Sequence, residues 1–228
     1  MERTDDLGIN NLKLIQDTDL FCFGTDSVLL SDFAIAKTND TIVDLCTGNG
    51  IIPILLSAKT KAKKIFGIEL QTPSYILAQR NCELNNLSAR IEFINDDVKY
   101  AANHFKAGSI DIITCNPPYM APKSGYTNPN DKKAIARHEI AINVYDIIEI
   151  SSKLLKFGGH LYMVHRAERL ADIICAMRDK KIEPKRLQFI HPSPDKAPGL
   201  ILIEGMYGAK ASLKLEQPIY VNTNTQIL

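Results

Sequence analysis

Between residues 41 and 204 the chain alternates short apolar runs with longer segments whose apolar residues recur at helical spacing. That alternation restricts it to a largely parallel sheet flanked by helices. Strands are expected at Thr41–Cys46, Lys64–Leu70, Ile91–Asn95, Ile110–Cys115, His160–His165, Arg186–Ile190 and Leu200–Glu204. Helices are expected between them at Ile51–Ala58, from Pro73 to near Asn85-Asn86, at Val98–His104 and at Ala167–Lys180. A further helix carries Ile140, Val144, Ile147, Ser151 and Leu154, with Gly158-Gly159 expected to end it. The last two strands are joined by a proline-rich loop at 191–198 and no helix, so one of the seven runs antiparallel to the rest. Ahead of the core, residues 10–23 predict a hairpin of Leu12–Ile15 and Leu20–Phe23 around a turn at Asp17-Thr18-Asp19. A helix with Val28, Leu29, Leu30 and Phe33 follows, capped by Thr25 or Asp26. The expected class is α/β in a single domain over 1–228: an N-terminal hairpin and helix (1–40), the core (41–208) and a tail (209–228). In the tail, Pro218–Val221 reads as a strand without an assigned partner.

Composition narrows the partners. With 45% hydrophobic and 23% charged residues the chain is expected to be a soluble globular protein. A net charge of +1 provides no global cationic field, so any RNA surface must come from segregated charge. Cys22, Cys46, Cys82, Cys115 and Cys175 are odd in number and lack C-x-x-C spacing, which fits reduced thiols in a cytoplasmic protein better than disulfides or zinc. Met1–Asp6 is not a signal peptide, and no apolar run approaches the length of a membrane span.

Chemistry concentrates at strand ends. Asn116-Pro117-Pro118-Tyr119 follows the apolar run ending at Cys115. Two consecutive prolines make a stiff turn with few free donors. The Asn116 side-chain oxygen and the Pro117 carbonyl can then accept the two N–H groups of one planar amine, and Tyr119 offers a stacking face. The first core strand ends in Asp44-Leu45-Cys46-Thr47-Gly48-Asn49-Gly50, a tight turn that lets a ligand approach the backbone. A dinucleotide fold would place a third glycine at position 53, which is Pro53, and a P-loop would need Gly-Lys-Ser/Thr, so the turn is not built for a pyrophosphate. A cationic sulfonium ligand, S-adenosyl-L-methionine, suits the Asp44 carboxylate instead. Glu69, before Leu70, can accept both ribose hydroxyls. Asp97 can accept an adenine amino proton while the Val98 N–H meets a ring nitrogen. Each acidic residue alone also reads as a cap of the next helix; it is their order, before Asn-Pro-Pro-Tyr, that makes a nucleoside pocket.

On these motifs, residues 20–208 resemble the class I S-adenosylmethionine-dependent methyltransferases, with Cys46 where the commoner residue is the first glycine of the turn. Adenine N6, guanine N2 and protein-glutamine enzymes all carry Asn-Pro-Pro-Tyr or a close variant. Phe21-Cys22-Phe23-Gly24-Thr25-Asp26 with Leu29-Leu30, Arg137-His138-Glu139, and Leu200–Gly205 look like the bacterial enzymes that methylate N6 of adenine 37 in valine tRNA. The resemblance implies a Rossmann-like methyltransferase fold, S-adenosyl-L-methionine as donor and tRNA bound near its anticodon; no metal is expected, and a monomer is favoured while the sequence leaves the oligomeric state open. It implies Asn116, Pro117, Pro118 and Tyr119 as catalytic residues. Asp44, Cys46, Thr47, Gly48, Asn49, Gly50, Glu69, Leu70, Asp97, Val98 and Asn116 are implied as donor contacts. Strand polarity then sorts the basic residues: Lys123, Lys132, Lys133, Arg137, Arg166, Arg169 and Lys196 fall around the pocket mouth as candidate phosphate contacts. Lys59, Lys61, Lys63 and Lys64 fall at the opposite edge.

Overall fold

The structure, a computed structural model, describes residues 1–20, 22–118 and 143–221. In chain order the elements are β1 (Glu2–Asp6), β2 (Lys13–Asp17), α1 (Thr25–Phe33), β3 (Thr41–Leu45), α2 (Ile51–Lys59), β4 (Lys64–Glu69), α3 (Thr72–Leu84) and β5 (Ile91–Asn95). A 3-10 segment (Val98–Asn103) leads to β6 (Ile110–Cys115), then α4 (Val144–Leu154) and β7 (Leu155–Arg166). A 3-10 turn (Ala167–Arg169) precedes α5 (Leu170–Asp179), β8 (Ile182–His191) and β9 (Leu200–Tyr207), with two-residue strands β10 (Lys214–Leu215) and β11 (Ile219–Tyr220) after them.

The main sheet has the order β10-β8-β9-β7-β6-β3-β4-β5, with β11 also paired to β8. β9 runs antiparallel to both β7 and β8, and all other pairs are parallel. The central strands read as continuous apolar runs because both their faces are covered. On β3, Ile42 joins one apolar layer with Leu30, Ile54 and Phe93, while Val43 and Leu45 join the other with Ile113, Ile147 and Met163. Arg90 closes the far end of α2 by donating to the carbonyls of Ser57, Thr60 and Ala62 at 2.8–3.0 Å. Lys59 and Lys64, at the edge opposite the strand carboxyl ends, hold Asp32 and Glu92 respectively.

Three expectations need correction. The N-terminal hairpin pairs Glu2–Asp6 with Lys13–Asp17, where residues 12–15 with 20–23 were expected; Phe21 of the expected second strand lies outside the described residues. Glu2–Asp6 has no apolar alternation; it becomes a strand because β2 offers its free edge while burying Leu14 and Gln16. The Phe23 N–H goes to the Gln16 side-chain oxygen at 3.1 Å rather than into a ladder. Secondly, α1 is capped by Gly24, which makes no side-chain cap bond, and Thr25 and Asp26 lie inside the helix. Thirdly, α4 stops at Leu154, four residues before the expected glycine stop. Gly158-Gly159 serve a bulge within β7, between the pairs Ile110↔Leu155 and Ile112↔His160. Gly158 has φ +80°, and a Cβ on Gly159 would lie 2.9 Å from the Lys156 carbonyl. The tail strand finds its partner in β8, through Ile219↔Ile190 and Tyr220↔His191.

Candidate active site

The sheet order reverses between β3 and β6, and in open α/β sheets a ligand crevice forms at the carboxyl ends of the strands at such a point. Asp44 on β3 and Asn116 after β6 flank that crevice, with Glu69 and the Asp97 loop following at the ends of β4 and β5. Adjacent strands are about 4.8 Å apart, so the four groups occupy a span of about 14 Å along the edge.

Asp44 is fully buried inside an otherwise apolar strand. Its Oδ1 accepts a hydrogen bond from Thr114 Oγ1 at 2.6 Å. The Thr47 hydroxyl also engages this carboxyl, and among the described residues the buried Asn49 Nδ2 has no partner. Burial pushes the Asp44 carboxyl up to about 7, the Thr114 and Thr47 hydroxyls hold it back, and the nearby Glu69 charge adds to the rise. A buried polar atom without a partner is costly, so an orphan Asn49 amide beside a buried Asp44 carboxyl suits a polar ligand. Those atoms fit the donor expected from the sequence: a carboxylate for an ammonium, a hydroxyl and an amide N–H for a carboxylate.

The two glycines of the turn do different work. At Gly48 (φ +59°) an added Cβ would meet no described atom within 4 Å, so the backbone there faces open space. At Gly50 (φ +83°) a Cβ would lie 2.6 Å from the Phe93 ring, so that glycine exists for packing under α2. Cys46 adopts φ +60°, a left-handed conformation that costs a non-glycine residue roughly 1–3 kcal/mol. Its replacement of glycine is therefore a matter of backbone strain and not of size alone. Burial raises the Cys115 thiol well above its ordinary range, and the adjacent Cys46 thiol raises it further.

Glu69, 6% exposed, accepts from the N–H of Gly48 and of Gln71, each at 2.8 Å, and burial raises its carboxyl. It thus ties the glycine turn to β4. Leu70 is partly exposed at the rim. Asp97 caps the 3-10 segment, its Oδ1 accepting from the Lys99 N–H at 2.9 Å, beside the buried Val98. Pro117 is buried, Pro118 is exposed, and Asn116 lies between these extremes. Tyr119, Lys123, Lys132, Lys133 and Arg137 lie outside the described residues. Arg166 and Lys196 are exposed at the carboxyl edge, on β7 and in the β8–β9 loop, and Arg169 pairs with Asp172 at 2.7 Å.

Two residues of this region escape sequence reasoning. Asn116 Nδ2 donates to Ser27 Oγ at 3.0 Å, so the first turn of α1 sets which way the Asn116 amide faces. Asn81 is fully buried on α3; it accepts from the Ile15 N–H at 2.6 Å and donates to the carbonyls of Ile15 and Asn49 at 3.0 Å. The N-terminal segment is thereby tied to the glycine turn at one end and to Asn116 at the other. The only local signal was the proximity of Ser27 to Gly24-Thr25-Asp26; nothing local marks Asn81.

Residues 18–178 match the family described as the methyltransferase small domain. A curated protein of Parabacteroides distasonis named tRNA1(Val) (adenine(37)-N6)-methyltransferase is 29% identical over 190 residues, covering 79% of this chain and 75% of that protein. A protein of the same name from Tolumonas auensis is 28% identical, covering 82% and 77%. Among solved structures, a predicted O-methyltransferase from Agrobacterium tumefaciens superposes with TM-score 0.70 at 22% identity, covering 89% of this chain and 90% of that one. The geranyl diphosphate methyltransferase bound to sinefungin gives 0.58 at 14% identity, covering 79% and 76%. With a sheet of this order, an open glycine turn headed by a buried carboxylate, and a family match across 18–178, the chain belongs to the methyltransferase small domain family.

Proposed function

We propose that this protein is a cytoplasmic S-adenosyl-L-methionine-dependent enzyme that methylates the exocyclic N6 amino group of adenine in tRNA, at position 37 near the anticodon. The fully buried Asp44 carboxyl at the head of the Gly48 turn, one strand from Asn116, is the observation that carries the reading. The names of relatives 28–29% identical over three quarters of their length support adenine 37 of valine tRNA as the target.

In this reading Asp44 holds the donor's ammonium, Glu69 its ribose hydroxyls, and Asp97 with the Val98 N–H its adenine; Gly48 gives it room. The bound donor supplies an electrophilic methyl group on a cationic sulfur. The remaining work belongs to the protein's own residues. The Asn116 carbonyl oxygen and the Pro117 carbonyl accept the two N–H groups of the target amine, which turns its lone pair toward the donor side of the crevice. Ser27 keeps the amide in that orientation by occupying Asn116 Nδ2. Tyr119 stacks on the flipped-out base, which offsets part of the few kcal/mol needed to unstack it. Holding the two reactants in line is worth about 7–11 kcal/mol of barrier, so positioning suffices without a strong general base.

The test is nucleoside mass analysis of tRNA after incubation with the protein and methyl-labelled donor, alongside an Asn116→Ala variant. Labelled N6-methyladenosine from the wild-type protein only, with donor affinity equal in both proteins, is expected. Label on guanine N2, or on glutamine of an added protein, refutes the adenine assignment. Loss of donor affinity in the variant refutes the role given to Asn116.

A further inference from the structure

Beyond the crevice, the same sheet edge carries a second aromatic feature. The rings of His191 and Tyr220 lie 5.5 Å apart at a 51° tilt. His191 ends β8, and Tyr220 sits opposite it on β11. The short strand is held by the Val221 N–H donating to the His191 carbonyl at 2.8 Å, and its Ile219 and Val221 pack against the apolar layer. Tyr220, between them, is 45% exposed. His191 Nδ1 lies 2.8 Å from the Lys196 carbonyl, which fixes the ring against its own loop. The pair is therefore held on both sides by backbone, with an exposed phenol face that its anchoring does not explain.

Register places this pair relative to Asn116. Cys115 is level with Met163 on β7, Met163 with Ile203 on β9, and Ile203 with Leu187 on β8. His191 thus stands four residues, about 13 Å, above that level and about three strand spacings, some 14 Å, to the side. The two rings form a raised wall roughly 20 Å from the strand end that carries Asn116, a distance that a few nucleotides of single-stranded RNA span. With a net charge of only +1 the protein cannot rely on a broad cationic field to hold RNA. Aromatic stacking is the contact that holds an unpaired base without one.

We propose that His191 and Tyr220 form a stacking wall for an unpaired base a few nucleotides from the target adenine. The inference rests on the tRNA reading above. The test is equilibrium binding of an unmodified tRNA transcript by Tyr220→Leu and Tyr220→Trp, over a series of salt concentrations, with donor affinity measured in parallel. Losing one stacked base is expected to weaken tRNA binding roughly 5- to 150-fold in Tyr220→Leu. Its salt slope and donor affinity are expected to match wild type, and Tyr220→Trp is expected to bind as wild type does. Wild-type affinity in Tyr220→Leu, an altered salt slope, or equal weakening by Leu and Trp each overturns the wall. A wild-type protein that leaves tRNA unbound and unmethylated refutes the parent reading and the wall together, whereas normal methylation with an indifferent Tyr220 refutes the wall alone.

Discussion

Asp44→Asn is expected to stabilise the ligand-free protein at neutral to alkaline pH while removing its response to the donor. The carboxyl titrates near 3.8 in water and near 7 in the folded protein, because burial penalises its charged form. Between those values the unfolded chain has lost its proton and the folded one keeps it. Stability therefore falls as pH rises from about 4 to about 7, by at most roughly 4 kcal/mol. Asparagine removes the charge but keeps an oxygen for Thr114, whose hydroxyl now donates to Asp44 Oδ1. Its amide N–H takes the place of Oδ2 beside the Thr47 hydroxyl, and costs about 1–3 kcal/mol to the extent that it is left unsatisfied there. The net gain at pH 8 is then about 1–3 kcal/mol, shrinking to nothing or reversing near pH 4. Thermal unfolding of both proteins across pH 4–8, with and without S-adenosyl-L-methionine, reads both effects. The donor should raise the wild-type midpoint and leave the variant's nearly unmoved. A variant less stable than wild type at pH 8 without ligand, or one that the donor still stabilises fully, would show that Asp44 does not hold a strained charge in wait for an ammonium.

Ser27→Ala removes one acceptor from Asn116 Nδ2, so kcat should drop several-fold while the donor Kd stays put; an unchanged kcat would mean that the amide is oriented by other contacts. Asn81→Ala strands the N–H and C=O of Ile15 and the carbonyl of Asn49, and should cost about 2–5 kcal/mol in a denaturant titration and weaken donor binding as the turn loosens. Full donor affinity in that variant would separate the hairpin from the glycine turn.

How much could be read in advance depended on where each element's partners lie. β5 and β6 fall at their expected bounds, and β3 and β4 end one residue early, because each is a short local run rich in apolar residues. β1 was invisible: its five residues are polar, and its strand character comes wholly from β2. Gly158-Gly159 misled because glycine serves a helix stop and a bulge equally well, and only the pairing with β6 decides between them. At the crevice, the ordered carboxylates Asp44, Glu69 and Asp97 were legible as strand ends. The bonds that Glu69, Ser27 and Asn81 make span 21, 89 and up to 66 residues, and no window along the chain contains both partners.

Cys115, one residue before Asn116, is fully buried in the apolar layer beneath the crevice proposed to hold an alkylating cation. A thiolate there would compete with the intended nucleophile and be consumed by it. Sulfur attacks carbon electrophiles as the anion, and the burial that lifts this group well above its ordinary range keeps it in the unreactive form. The packing beneath the crevice thus also guards the protein against modifying itself.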